Sequence, residues 1–143
     1  MICTFFGHKN APYMAKELLK SAIIELVEKE DIKKFYVGNN GFFDLYVQQA
    51  LEEISKSHSE IAYFIVLSQI SEKAISGNQN STIFPEGLEN VPPRFAISRR
   101  NDWMIKHSDI VVAYVENSLS NTHKLVEKCV KRGLKYINLL NEV

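Results

Sequence analysis

Three arginines lie close together in the second half of the sequence and give its clearest sign of chemistry. They are Arg94, Arg99 and Arg100. The planar guanidinium group of arginine can donate two parallel hydrogen bonds to a phosphate. Salt bridges to Glu86 or Glu89 would be an ordinary structural use of the same side chains. The cluster therefore predicts a phosphate-binding surface, with internal salt bridges as the alternative.

Glycine, amide and hydroxyl residues follow three strand-like segments directly, and each group could contact a ligand. Glycine lets a ligand approach the backbone closely, and the helix after each segment begins with unpaired N–H groups that attract anions. His8 could donate to a phosphate or stack on a base, and Asp44 could accept from a ribose hydroxyl. The ordinary alternatives are tight turns, helix N-caps and a carboxylate that complements a helix dipole. The candidate binding residues in these segments are Gly7, His8, Gly38, Asn39, Gly41, Asp44, Ser118, Ser120, Asn121 and Thr122.

Other catalytic and metal-binding chemistries lack a sequence signature. The four histidines include no pair spaced by three or four residues, so we expect no zinc site. There is no Walker loop, nucleophile elbow or complete Gly-x-Gly-x-x-Gly pattern. Cys3 and Cys129 have no CxxC partner and are predicted to be buried thiols. We therefore expect neither a cofactor nor a metal ion.

The charge balance and the apolar pattern limit the partners of the chain. Lys and Arg together number 17, as do Asp and Glu, so the formal net charge is zero. This balance disfavours binding of DNA or RNA on a general basic surface, although a local cluster can still bind one small anion. No run approaches the length of a membrane span, and residues 2–6 lack the basic flank of a signal peptide. We expect no membrane association and a cytoplasmic location.

Hydrophobic periodicity predicts five strands that alternate with four helices in one domain over residues 1–143. The predicted strands are 1–6, 34–37, 61–67, 109–115 and 136–140. The predicted helices extend from a cap at Asn10 to about Lys29, from Gly41 to Ile54, from 94 to 107, and through 125–130 to a stop at Gly133. Polar residues and prolines in 68–93 predict a long loop. The alternation predicts an α/β, Rossmann-like three-layer αβα fold with a five-stranded, mainly parallel sheet, in which ligands bind at the carboxyl ends of strands.

Three stretches of sequence together resemble a known superfamily. They are residues 3–8 (Cys-Thr-Phe-Phe-Gly-His), residues 35–44 (Phe-Tyr-Val-Gly-Asn-Asn-Gly-Phe-Phe-Asp) and residues 84–101. Along nearly its whole length the chain resembles the small SLOG-superfamily proteins of bacteria, which are relatives of the Lonely-Guy nucleotide phosphoribohydrolases and of DNA-processing protein A. The resemblance implies a Rossmann-like nucleotide-binding fold, a nucleotide or nucleotide derivative as ligand, and a homodimer.

The resemblance to the Lonely-Guy enzymes extends to two catalytic motifs, both altered. Their Arg-Lys pair before the fourth strand corresponds to Arg100-Asn101, which keeps only the arginine. Their Pro-Gly-Gly-x-Gly-Thr-x-x-Glu motif, aligned on Glu127, corresponds to residues 119–127, in which every glycine is replaced. Side chains in place of these glycines would change how backbone amides surround a phosphate. The resemblance implies that Arg100 fixes the substrate and that Glu127 positions water or stabilises positive charge on the sugar.

Three functions follow as expectations. The leading one is a nucleotide or nucleotide-derivative binding protein. The alternative is a phosphoribohydrolase that cleaves the N-glycosidic bond of nucleoside 5′-monophosphates, with Arg100 and Glu127 as catalytic residues. A single-stranded DNA-binding or regulatory protein is a third hypothesis, and the zero net charge disfavours binding of a nucleic acid.

Overall fold

The computed structural model describes residues 1–69 and 81–140. The strands are β1 (Ile2–Gly7), β2 (Lys34–Val37), β3 (Ala62–Val66), β4 (Ser81–Ile83), β5 (Ile110–Tyr114) and β6 (Lys135–Asn138). The helices are α1 (Met14–Glu30), α2 (Phe42–Ser55), α3 (Ala96–Lys106) and α4 (Asn121–Lys131). Short 3-10 turns at Leu88–Asn90 and Pro93–Phe95 lead into α3.

All six strands belong to one sheet, in the order β4-β3-β2-β1-β5-β6. Every neighbouring pair is parallel. The predicted α/β, Rossmann-like architecture is therefore confirmed. The predicted strand count of five was wrong, because β4 lies within 68–93, where we expected only a loop. This strand has three residues and pairs with β3 from Ser81 to Ile83, which is too short for a recognisable apolar period.

The helices cover both faces of the sheet and form two apolar cores. The core on one face joins Leu19 of α1 and Leu51 of α2 to the strands, and the other joins Met104 of α3 and Cys129 of α4. Both cysteine thiols are buried as predicted, and burial raises the pKa of Cys129 to about 12. No helix in residues 1–69 and 81–140 has the length and apolar content needed to cross a membrane.

Two helix ends test the predicted capping residues. Gly133 has a φ of 93°, and the next N–H, of Leu134, donates to the carbonyl of Cys129 at 3.0 Å. This left-handed turn ends α4 where we predicted. The predicted cap of α1 was wrong, because the helix begins at Met14 after Tyr13, without a side-chain cap. Asn10 lies too early in the loop to accept from the first turn.

The order of the strands places a crevice beside β1. The strand β1 pairs with β2 on one side and with β5 on the other. The chain winds outward from β1 through β2 and β3, and returns through α3 to β5 on the opposite side. The loops after β1 and β5 therefore diverge, which is the usual place for a ligand in open parallel sheets.

Candidate functional site

A cleft of about 730 Å³ opens at the carboxyl ends of β1 and β5. Its walls come from the loop after β1, the loop before α2, the first turns of α3 and one face of α4. The lining residues are Gly7, His8, Lys9, Asn10, Asn40, Arg94, Ile97, Ser98, Asn101, Asn121, Thr122, Lys124, Leu125 and Lys128. The cleft thus occupies the position that the strand order favours for a ligand.

The lining of this cleft is positively charged. It contains the four cations Lys9, Arg94, Lys124 and Lys128, and none of the described lining residues is acidic. Lys128 contacts Asp102 outside the lining at 3.2 Å, in an exposed ion pair. The amino-terminal residues of α4 add the partial positive charge of a helix N-terminus. The electrostatics therefore favour an anionic ligand.

His8 directly follows β1 and connects it to two other parts of the cleft. Its Nε2 accepts from the backbone N–H of Glu116 at 3.2 Å, so the neutral ring carries its proton on Nδ1. Nδ1 lies 3.5 Å from the hydroxyl oxygen of Thr122 and donates to it. The ring also meets Tyr114 edge-on. His8 therefore fixes the start of α4 and leaves the hydroxyl hydrogen of Thr122 to donate to a ligand.

The turn between β5 and α4 is held by its own polar side chains. The hydroxyl oxygen of Ser120 accepts from the backbone N–H of His123 at 3.1 Å and donates to the carbonyl of Asn117 at 3.0 Å. Ser120 is thus the N-cap of α4. Ser118 is exposed in the same turn and does not line the cleft. Of the residues predicted here, Asn121 and Thr122 reach the cleft.

Arg100 lies below the cleft and makes internal hydrogen bonds. It is 2 % exposed, and it lines a recess of about 70 Å³ under the cleft, together with Asp44. Its Nη1 donates to the carbonyl of Val66 at 3.0 Å, and its Nε donates to the side chain of Asn101 at 2.9 Å. Arg100 therefore links α3 to the end of β3 and positions Asn101 in the cleft wall.

Asp44 faces the same recess from the first turn of α2. Its carboxylate accepts from the backbone N–H of Asn40 at 2.9 Å. Burial raises the pKa of Asp44 to about 6, and the nearby Arg100 guanidinium and the Asn40 N–H oppose that rise. Asp44 thus fixes the loop before α2, which contributes Asn40 to the cleft.

The three glycines that we proposed as ligand contacts are required by packing within the protein. A Cβ at Gly7 would overlap the ring of Phe43, and one at Gly38 would lie 2.7 Å from a carboxylate oxygen of Asp44. Gly41 has a backbone φ of 93°, which residues other than glycine rarely adopt, and its backbone lies against Lys9. Only Gly7 of the three is part of the cleft lining.

The remaining predicted residues lie outside the cleft lining. The carboxylate of Glu127 is exposed and lies 3.4 Å from the side chain of His123. Arg99 lines a separate shallow depression next to Glu86. The side chain of Asn39 accepts from Gln48 at 3.4 Å. The cleft therefore brings together Gly7, His8, Arg94, Asn121 and Thr122 from the predicted set.

Several lining residues were not predicted, and α4 shows how they could have been. Thr122, Leu125 and Lys128 lie three residues apart, and helical geometry places them on one side of α4. Glu127 is exposed and is not part of the lining, although Lys124, three residues before it, is. Ile97 and Asn101 lie four residues apart on α3 and show the same helical spacing, whereas Lys9 and Asn40 come from separate loops.

No family model and no curated protein matches this chain. Within the ranges that the structure describes, no group of three or more His, Cys, Asp or Glu side chains is arranged to hold a metal ion.

Proposed function

We propose that the cleft binds a nucleotide or a nucleotide derivative through a phosphate group. The observation that carries this proposal is the lining of four cations without a described carboxylate, at the carboxyl ends of β1 and β5. Phosphate is a small, highly charged anion that suits both the cations and the start of α4. A neutral or cationic metabolite would gain nothing from this charge pattern.

The cleft also offers contacts for the rest of a nucleotide. Ile97 and Leu125 give it an apolar wall against which a base or a sugar could pack. Asn101 and Asn121 supply amide groups that can donate and accept hydrogen bonds. The hydroxyl of Thr122, oriented by His8, would donate to a phosphate oxygen. Such a mixture of apolar surface and a few polar groups is typical of small-molecule sites.

A binding role fits the described residues better than N-glycosidic hydrolysis. Hydrolysis by the predicted mechanism needs a carboxylate beside the sugar. Glu127 is exposed and does not line the cleft, and Asp44 lies in the recess below it. We therefore expect the protein to release no free base from nucleoside monophosphates. Base release that is lost in Glu127→Gln would instead support the phosphoribohydrolase hypothesis.

Thermal denaturation with a panel of nucleotides tests the proposal. A ligand at ten times its Kd should stabilise the fold by about 1.4 kcal/mol, which corresponds to a Tm increase of roughly 3–6 °C. The panel should contain AMP, cyclic AMP and ADP-ribose. Lys124→Glu should remove most of the increase, and Lys29→Glu, on the opposite face of the sheet, should retain it. No Tm change with any nucleotide would refute the proposal.

A further inference from the structure

A second cavity lies beside the cleft, in a groove between α3 and α4. Its volume is about 570 Å³, and its lining consists of Asp102, Ile105, Lys106, Lys128, Lys131 and Arg132. Lys128 also lines the cleft, so the two cavities meet at this side chain. We call this second cavity the basic groove. A ligand in the cleft could extend into it without crossing a wall of the protein.

The zero net charge of the chain conceals a strongly basic face at this groove. Its lining contains four cations, Lys106, Lys128, Lys131 and Arg132, against the single carboxylate of Asp102. Residues 1–62, which include α1 and α2 on the opposite face, contain seven Lys and Arg against nine Asp and Glu, a net charge of −2. Among the described residues, no carboxylate forms an ion pair with Lys106, Lys131 or Arg132. The groove therefore presents cations that no carboxylate of the described residues neutralises.

The separation of the cations along α4 indicates the size of a ligand that could use both cavities. Lys124 in the cleft precedes Lys131 in the groove by seven residues, a distance of about 10 Å along the helix. One phosphate group is too small to contact both ends of this row. A mononucleotide in the cleft would leave Lys131 and Arg132 unused.

The boundary between the two cavities can admit a ligand. Lys128 and Asp102 form their 3.2 Å ion pair there, and about half of each side chain is exposed. Exposed ion pairs of this kind contribute little stability. Lys128 can therefore turn from Asp102 to a phosphate at small cost, and the floor beside it is the apolar side chain of Ile105.

We propose that the ligand is a short linear oligonucleotide, with one phosphate in the cleft at Lys124 and the next phosphate along its backbone at the entrance of the basic groove, within reach of the long side chains of Lys128 and Lys131. This inference rests on the proposed function, because the first phosphate is the one that the cleft would bind. It narrows the ligand from any nucleotide to one with two separated phosphates, such as a 5′-phosphorylated dinucleotide. Lys131 and Arg132 would then determine specificity without touching the first nucleotide.

Calorimetric titration of the full chain with three nucleotides tests this inference. The ligands are AMP, ATP and the 5′-phosphorylated dinucleotide pApA. We expect pApA to bind at least about tenfold more tightly than AMP, because charge-assisted hydrogen bonds in the groove add to those in the cleft. The gain in affinity over AMP should be smaller for ATP than for pApA, since the phosphates of ATP are contiguous. The double variant Lys131→Glu with Arg132→Glu should lose the advantage of pApA and keep the AMP affinity within about twofold.

A matched control reverses the same amount of charge elsewhere. Lys29→Glu with Lys56→Glu alters two exposed lysines on the opposite face of the sheet and should retain the preference for pApA. Equal affinity for AMP and pApA, tighter binding of ATP than of pApA, or equal weakening of AMP and pApA in the groove variant would each overturn the inference. Failure of all three nucleotides to bind would instead refute the proposed function, so the two failures are distinguishable.

Discussion

Replacement of Gly38 by alanine should destabilise the protein, although the added side chain is a single methyl group. The new Cβ would lie 2.7 Å from a carboxylate oxygen of Asp44 and 3.0 Å from the guanidinium of Arg100. Asp44 accepts from the N–H of Asn40 and Arg100 donates to the carbonyl of Val66, so neither neighbour can move freely. Overpacking of this kind costs about 1–3 kcal/mol. The alanine also lowers the entropy of the unfolded chain, which offsets about 0.4–1 kcal/mol of this cost.

Urea and thermal denaturation followed by circular dichroism measure the effect. The central values of these two effects leave a net loss of about 1.3 kcal/mol, which corresponds to a fall in Tm of roughly 3–5 °C. Gly87→Ala is the matched control, because nothing lies within 4 Å of its added Cβ and any cost arises from its φ of 86° alone. The explanation fails if the free energy of unfolding of Gly38→Ala lies within about 0.4 kcal/mol of the wild-type value. A difference of that size is comparable to the ordinary scatter of surface substitutions.

Three further predictions concern charge and capping. The pKa of Asp44 is raised to about 6 in the folded protein, so the folded state binds a proton more readily than the unfolded state. As the pH falls from 7 to 4, the free energy of unfolding of the wild type should therefore rise relative to that of Asp44→Asn. Urea titrations of both proteins at each pH check this, and the same pH dependence in both would contradict it. The hydrogen bond from His58 to Glu28, 2.9 Å long, raises the pKa of His58, so Glu28→Gln should lower that pKa in an NMR titration, and an unchanged value would contradict the assignment. Ser120→Ala should cost about 1 kcal/mol in urea denaturation, since the hydroxyl caps α4 at the N–H of His123, and an unchanged midpoint would refute the capping role.

The larger elements of the fold could be predicted because their apolar residues repeat at the helical or strand period. The helix α4 shows this best, since both its apolar face and its stop at Gly133 are local properties. The strand β4 shows the limit: three residues carry no period, and the strand exists only because the backbone of β3 is available for pairing. The start of α1 was also missed, because the loop from His8 to Tyr13 forms its own turns before the helix begins.

The candidate site could be predicted only in outline. The segments after the strands were correctly placed at the carboxyl edge of the sheet, since that follows from a parallel topology alone. The distribution of contacts within those segments depends on packing. Arg100 can be buried because the carbonyl of Val66 and the side chain of Asn101 accept hydrogen bonds from its guanidinium group. No local pattern separates it from Arg94, which lies six positions earlier and lines the cleft.

Backbone NMR of the labelled protein titrated with AMP tests the central claim most directly, because it shows both whether a nucleotide binds and where. Binding in the cleft predicts amide shifts that saturate with AMP and cluster at residues 7–10, 97–101 and 121–128. The exposed ends of α1 and α2, at Lys29 and Lys56, should not respond. An AMP titration without saturable shifts, or with shifts centred away from these three segments, would contradict the proposal that this cleft is a nucleotide site.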